Sequence, residues 1–166
     1  FVAEKAPVSH LRKLRDTREE TGFSRQLWAE FVDMGLTGML VPQAQGGLGM
    51  GHTEAGIVLE EIGRNLTPSP FLSTSVGAVA ALSRGGGVQA DRWLPQIAAG
   101  QAVVALAVDE QARHRPDRVA TKATRSGNGF RLDGQKSFVL HGHVADLLIV
   151  SAQTDEGLTL FAVPRE

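Results

Sequence analysis

Up to about residue 100, apolar side chains recur at three- and four-residue intervals, the spacing of one face of a helix. In "SRQLWAEFVDMG", Ser24 stands as an N-cap, Leu27, Trp28, Phe31 and Val32 fall on one face, and Gly35 ends the helix. "HTEAGIVLEEIGRN" (52–65) predicts another helix, with Thr53 as cap, Ile57 and Ile62 buried, and Gly63 as stop. "FLSTSVGAVAALSRGGG" (71–87) is mostly small and apolar, which predicts a helix packed on several sides and halted by its glycines. "DRWLPQIAAG" (91–100) reads as a short helix with Pro95 near its first turn and Gly100 just past its end.

Beyond Gly100 the pattern changes. Residues 102–108 form a continuous apolar run, the mark of a strand buried on both faces. "GNGFRLDGQKSFVL" offers two strand-like runs around Asp133 and Gly134, a hairpin signal. "DLLIVSAQT" and "LTLFAVP" are divided by a turn at Asp155, Glu156 and Gly157. A helical segment followed by a strand-rich one predicts the α+β class. We expect an all-α domain over 1–100, then over 101–166 the first part of an antiparallel β-barrel or sandwich domain.

Composition narrows the function classes. Hydrophobic content of 42% and charged content of 21% describe a soluble globular chain, and a net charge of -1 gives no electrostatic ground for nucleic acid or an anionic membrane. The absence of cysteine excludes disulfides and thiol chemistry and favours a cytoplasmic home. The opening "FVAEKAPVSHLRKLRD" has no signal-peptide pattern, and "AVVALAV" is far too short to span a bilayer. A start at Phe1 and an ending at "FAVPRE" lead us to expect a piece of something longer.

Candidate chemistry is sparse. The glycines of "GGLGMG" (46–51) match neither a P-loop nor a dinucleotide fingerprint, so a left-handed or flexible loop between helices is the expectation. His141 and His143 lack a third ligand in a plausible place and read as turn or surface histidines, with no metal expected. "DEQARHRPDR" (109–118) reads as a solvated loop. Its alternative is an anion-binding loop in which Arg113, Arg115 or Arg118 meets a phosphate. Asp109 and Glu110 are candidate acid/base carboxylates, but nothing in the sequence pairs them with a substrate.

Five motifs in order give a resemblance that covers nearly the whole chain. They are "MLVPQAQGGLGM" with Pro42, Gly46, Gly47 and Gly49; Glu60, Glu61, Ile62 and Gly63; "RWLPQIAAGQ"; the strand "VVALAVDE"; and "TKATR" with "FRLDGQKSFVLHGHVAD". In this order and spacing the sequence resembles the acyl-CoA dehydrogenase family. The resemblance implies an FAD-dependent enzyme that oxidises an acyl-CoA to the trans-2-enoyl-CoA, with an electron-transfer flavoprotein as acceptor and a homo- or hetero-oligomeric assembly. It also implies a flavin wall made of Leu106, Val108, Asp109, Phe138, Val139 and Leu140, and a substrate contact at Arg115.

The family's glutamate base belongs to a C-terminal helical domain outside this sequence, so no catalytic residue is expected here. Three features depart from the family pattern. Asp109 replaces a threonine, "QARHRPD" lacks the usual glycine and serine, and Leu140 stands where a hydroxyl is usual. They motivate an alternative, a non-catalytic partner subunit with the same fold; a related flavin monooxygenase or oxidase on the same scaffold is a further one.

Overall fold

The computed structural model describes residues 1–165. They form two compact units, divided between Val103 and Val104, each considered by itself. The first is helical: α1 (Val2–Lys5), α2 (Val8–Asp16), α3 (Arg25–Asp33), α4 (His52–Arg64), α5 (Val79–Gly85) and α6 (Gly87–Ala98).

Helix α3 follows its sequence signals. The Ser24 hydroxyl accepts a hydrogen bond from the Leu27 amide at 3.2 Å, satisfying one donor that the helix itself cannot. Leu27, Trp28 and Phe31 are buried, Val32 is half-buried, and Gly35 takes the left-handed conformation at φ 73°. Phe31 makes tilted ring contacts with Phe1 and Trp28, and Phe23 meets Trp28 edge-on.

The other helices correct details of the sequence reading. In α4 the cap is Gly51, and the N3 residue Glu54 accepts from the Gly51 amide at 2.8 Å, a role that Thr53 does not take. Ile57 is 61% exposed and Ile62 half-buried, so the buried face is the one centred on Ala55. Gly63 lies inside the helix, which runs to Arg64 with Asn65 as its C-cap. The stretch after Pro70 is helical as expected, but Phe71–Ala78 is wound in the wider π form before α5 continues it. Gly86 and Gly87, at φ 62° and 63°, break the chain between α5 and α6. Helix α6 starts at Gly87, a turn earlier than expected, so Pro95 sits in its interior rather than its first turn. Gly100 follows the helix at φ 66°. The buried Thr37 hydroxyl donates to the Ala98 carbonyl at 2.9 Å, satisfying an acceptor at the helix end.

The second unit is one five-stranded sheet of β1 (Val104–Ala107), β2 (Lys122–Ser126), β3 (Gly129–Asp133), β4 (Leu147–Thr154) and β5 (Gly157–Pro164). The strand β4 is its axis. On one edge β5 pairs antiparallel along all of β4, from Thr154↔Gly157 to Leu147↔Pro164, through the expected turn at Asp155 and Glu156. On the other edge β1 pairs parallel from Val104↔Leu147 to Ala107↔Val150, and β2 rejoins at Lys122↔Gln153. The sheet is therefore mixed: β2–β3 and β4–β5 are antiparallel, and both contacts of β4 on its other edge are parallel.

The expected hairpin also shifts. Strands β2 and β3 turn at Gly127 and Asn128, with Gly127 at φ 58°. Asp133 only ends β3, and the run Phe138 to Leu140 forms no strand.

Candidate functional site

Between Ala107 and Lys122 the chain leaves the edge of β4 and returns to it. Its exposed loop, 111–118, buries no side chain that would anchor it. Two carboxylates tie it down instead. Asp109 accepts from His114 Nδ1 at 2.9 and 3.0 Å and from the Arg115 amide at 3.2 Å, which bends the loop back on its own start. The His114 hydrogen bond, the largest influence, and the Arg115 amide hold the Asp109 carboxyl below its ordinary value against some desolvation.

Glu110 closes the loop's base. Its Oε2 accepts from the Ala120 amide at 2.7 Å, and its Oε1 from the Thr121 amide at 2.9 Å and the Thr121 hydroxyl at 2.6 Å. Lys136 Nζ donates to the same Oε1 at 2.7 Å and to the buried Ser151 hydroxyl at 2.9 Å. The side chains of this pair are 11% and 9% exposed. Burial is the strongest single influence on Glu110 and pushes its pKa up. The hydrogen bonds from Lys136, Thr121 and Ala120 together outweigh it and hold the carboxyl at about 2.

The segment after β3 is drawn to the same place. Gly134 is required by closeness rather than by a hairpin: a Cβ there would stand 2.5 Å from Thr121 Oγ1 and 2.7 Å from Thr121 Cα. The Ser137 amide donates to the Asp109 carbonyl at 2.8 Å, and the Ser137 hydroxyl lies 3.5 Å from the Glu110 carbonyl. Next come two left-handed non-glycine residues, Phe138 at φ 54° and His141 at φ 59°. They bracket a tight bend in which the Gly142 amide donates to the Val139 carbonyl at 3.1 Å. The result is an outward-facing apolar step: Phe138 is 76% exposed, Leu140 57%, and Val139 half-buried.

The residues singled out from sequence therefore fall on two neighbouring segments. Leu106 lies in β1 and is half-buried, with Val108 and Asp109 just past the strand's end. Backbone hydrogen bonding joins Asp109 to Ser137, directly before Phe138. The Asp109 carboxylate is engaged by His114 and Arg115, within its own loop. Arg115 is on the exposed loop, its guanidinium 3.3 and 3.4 Å from the Asp117 carboxylate. Sequence reasoning missed the Glu110–Lys136 pair, because 26 residues separate the partners and no local pattern links them.

The other candidates are quieter. In the loop 42–51 the amides from Gln45 to Met50 all donate to carbonyls of residues 38–43, leaving none turned toward a phosphate. Gly47 admits no side chain, since a Cβ would lie 2.1 Å from the Val41 carbonyl oxygen. His141 and His143 belong to a turn, and burial, then His143, lowers the pKa of His141. Among the described residues no cluster of three possible ligands could hold a metal ion, and no helix is long and apolar enough to cross a membrane.

Residues 1–101 match the family model of the acyl-CoA dehydrogenase N-terminal domain. The chain belongs to the acyl-CoA dehydrogenase family. Among named relatives it is 33% identical over 155 residues to acyl-CoA dehydrogenase FadE27 of Mycobacterium tuberculosis, across 93% of this chain and 40% of that protein. The ChsE4-ChsE5 complex from the same species superposes with a TM-score of 0.86 at 30% identity, covering 98% of this chain and 43% of the matched one. A glutaryl-CoA dehydrogenase from Mycobacterium smegmatis, solved in complex with FADH2, superposes at 0.71 and 26% identity over 95% and 44%. The chain thus spans less than half the length of each of these three proteins.

Proposed function

We propose that this chain is the N-terminal part of an FAD-dependent acyl-CoA dehydrogenase that converts an acyl-CoA thioester to its trans-2-enoyl-CoA. In a chain of this family, the observation that carries the reading is the polar pairing of Asp109 and Glu110 with Lys136 and Ser137, which sets the exposed apolar step Phe138 to Leu140 beside the end of β1. An exposed phenylalanine locked at positive φ contributes nothing to a core, but it suits the face of a flat ring system. Leu106, Val108, Val139 and Leu140 extend the same apolar character. FAD, when bound, supplies the hydride acceptor for oxidation at the β-carbon.

This chain's residues bind and orient. The proposed wall positions the isoalloxazine and excludes water from it. Asp109, included in that wall by sequence, contributes backbone: its carbonyl receives the Ser137 amide, while its carboxylate, held by His114 and Arg115, is spent inside the loop. That arrangement supports flavin binding despite the acidic replacement, because an unpaired carboxylate at the ring would oppose negative charge on reduced flavin. Arg115 is the proposed contact for an anionic part of the CoA ester, exchanging Asp117 for phosphate oxygens. The base that takes the α-proton lies outside these residues, and an electron-transfer flavoprotein is the proposed acceptor.

A second reading is favoured by a specific position. Leu140 presents carbon where a hydroxyl donor would tune the flavin, and one similar structure is a complex of two named chains. On that reading the protein is the non-catalytic subunit of a hetero-oligomer. Flavin stoichiometry in the purified full-length protein separates the two. One FAD per chain in a homo-oligomer that makes enoyl-CoA supports the first, and flavin bound only after co-expression with an unlike subunit supports the second. A protein without flavin or enoyl-CoA formation in either preparation would sink both.

A further inference from the structure

We infer that Glu110 and Lys136 are positioning residues that clamp the loop 111–119 and the segment 135–140 into a single unit, so that a buried ion pair sets the apolar wall. The inference deepens the flavin reading and rests on it for its consequence, though not for its geometry.

Three observations lead here. First, the loop has no packing of its own: every residue from Gln111 to Arg118 is exposed, and beyond Asp109 its attachment is the Glu110 grip on the Ala120 and Thr121 amides. Second, the same carboxylate oxygen receives Lys136, whose next four residues are Ser137 to Leu140. Third, the clasp occupies a break in the sheet. Strand β1 stops pairing at Val150 and β2 begins at Gln153, so Ser151 faces a stretch of β4's edge that no strand covers in register. Lys136 Nζ reaches the Ser151 hydroxyl there, and that hydroxyl lies 3.4 Å from the Val108 carbonyl.

The network therefore ties together the residue before Asp109, the loop's return at Thr121, the segment leading to Phe138, and β4. The Glu110 carboxylate and the Lys136 ammonium lie outside the proposed wall, so the pair acts through the residues it holds. A buried pair of this kind is poorly tolerant of losing one partner, because the remaining charge is left desolvated and unmatched. Removing both charges removes that penalty, so the double variant should be less disturbed than the sum of the singles.

The test uses the full-length protein with Glu110→Gln, Lys136→Met, the double variant, and Lys136→Arg as the conservative replacement. Hydrogen–deuterium exchange is followed on peptides covering 111–119 and 135–140, beside the visible circular dichroism of bound flavin and its dissociation constant. Either single charge removal is expected to speed exchange at least tenfold in both segments, while peptides of the β4–β5 hairpin and of the helical unit keep their rates. Flavin dissociation constants should rise in step with a changed dichroic band, and Lys136→Arg should recover most of both.

Loosening confined to 111–119 in Glu110→Gln, or to 135–140 in Lys136→Met, would overturn the inference, as the two segments would then be independent. If a single variant fails to fold, the double variant and Lys136→Arg carry the same comparison. A wild-type protein without flavin would remove the flavin reading and leave exchange to decide the clasp.

Discussion

At Gly47 and Gly56 the same residue type answers opposite needs. A methyl group at Gly47 would run into the Val41 carbonyl, whereas at Gly56, inside α4, nothing lies within 4 Å. Gly47→Ala should therefore cost about 2 kcal/mol or more through forced backbone movement. Gly56→Ala should gain about 1 kcal/mol from helix propensity. Urea midpoints of the two variants check the pair, and an unchanged Gly47→Ala midpoint would contradict the close approach. Phe138 poses the complementary case. Being 76% exposed, it should be replaceable by alanine within about 0.5 kcal/mol of wild-type stability. If it faces a flavin, the same change should weaken flavin binding about tenfold, near 1.4 kcal/mol, by titration of the apoprotein. Equal flavin affinity in Phe138→Ala would remove Phe138 from the wall.

Among elements, the loop 108–121 is the most sensitive to acid. Glu110 has an ordinary value of 4.5 and is held at about 2 in the folded chain. Below about 4.5 the unfolded chain takes up a proton that the folded one refuses. The clasp's contribution is thus complete above that pH and is lost as pH falls toward 2. Urea unfolding followed by far-ultraviolet circular dichroism at pH 5 and pH 3 should show wild type losing more stability than Glu110→Gln. Equal losses would place the acid sensitivity elsewhere.

Elements also differ in how far the sequence disclosed them. Helix α3 was legible because its cap, apolar face and terminal glycine all act within a few residues. The turn at Asp155 and Glu156 was legible for the same reason. The Asp133 and Gly134 signal was misread, since that glycine serves an approach to Thr121 and the hairpin turns earlier, at Gly127. Periodicity in α4 disclosed an apolar set but not that Ile57 would stay exposed. Of the candidate site, the family motifs picked out the two segments, 106–109 and 138–140, that the proposed wall comprises. The Glu110–Lys136 clasp was not, because only tertiary folding makes the partners neighbours.

For the whole molecule, family membership and the helical-then-sheet architecture are established, while the described chain covers under half of its relatives' length. What the complete protein does depends on whether the apolar step beside Asp109 holds a flavin in a catalytically complete assembly. The most direct measurement is the visible spectrum of the purified full-length protein, recorded before and after anaerobic addition of acyl-CoA thioesters. Oxidised-flavin bands should be present and should bleach on addition, with enoyl-CoA formed in equal amount to the flavin reduced. Colourless protein, both alone and co-expressed with an unlike family subunit, would contradict it.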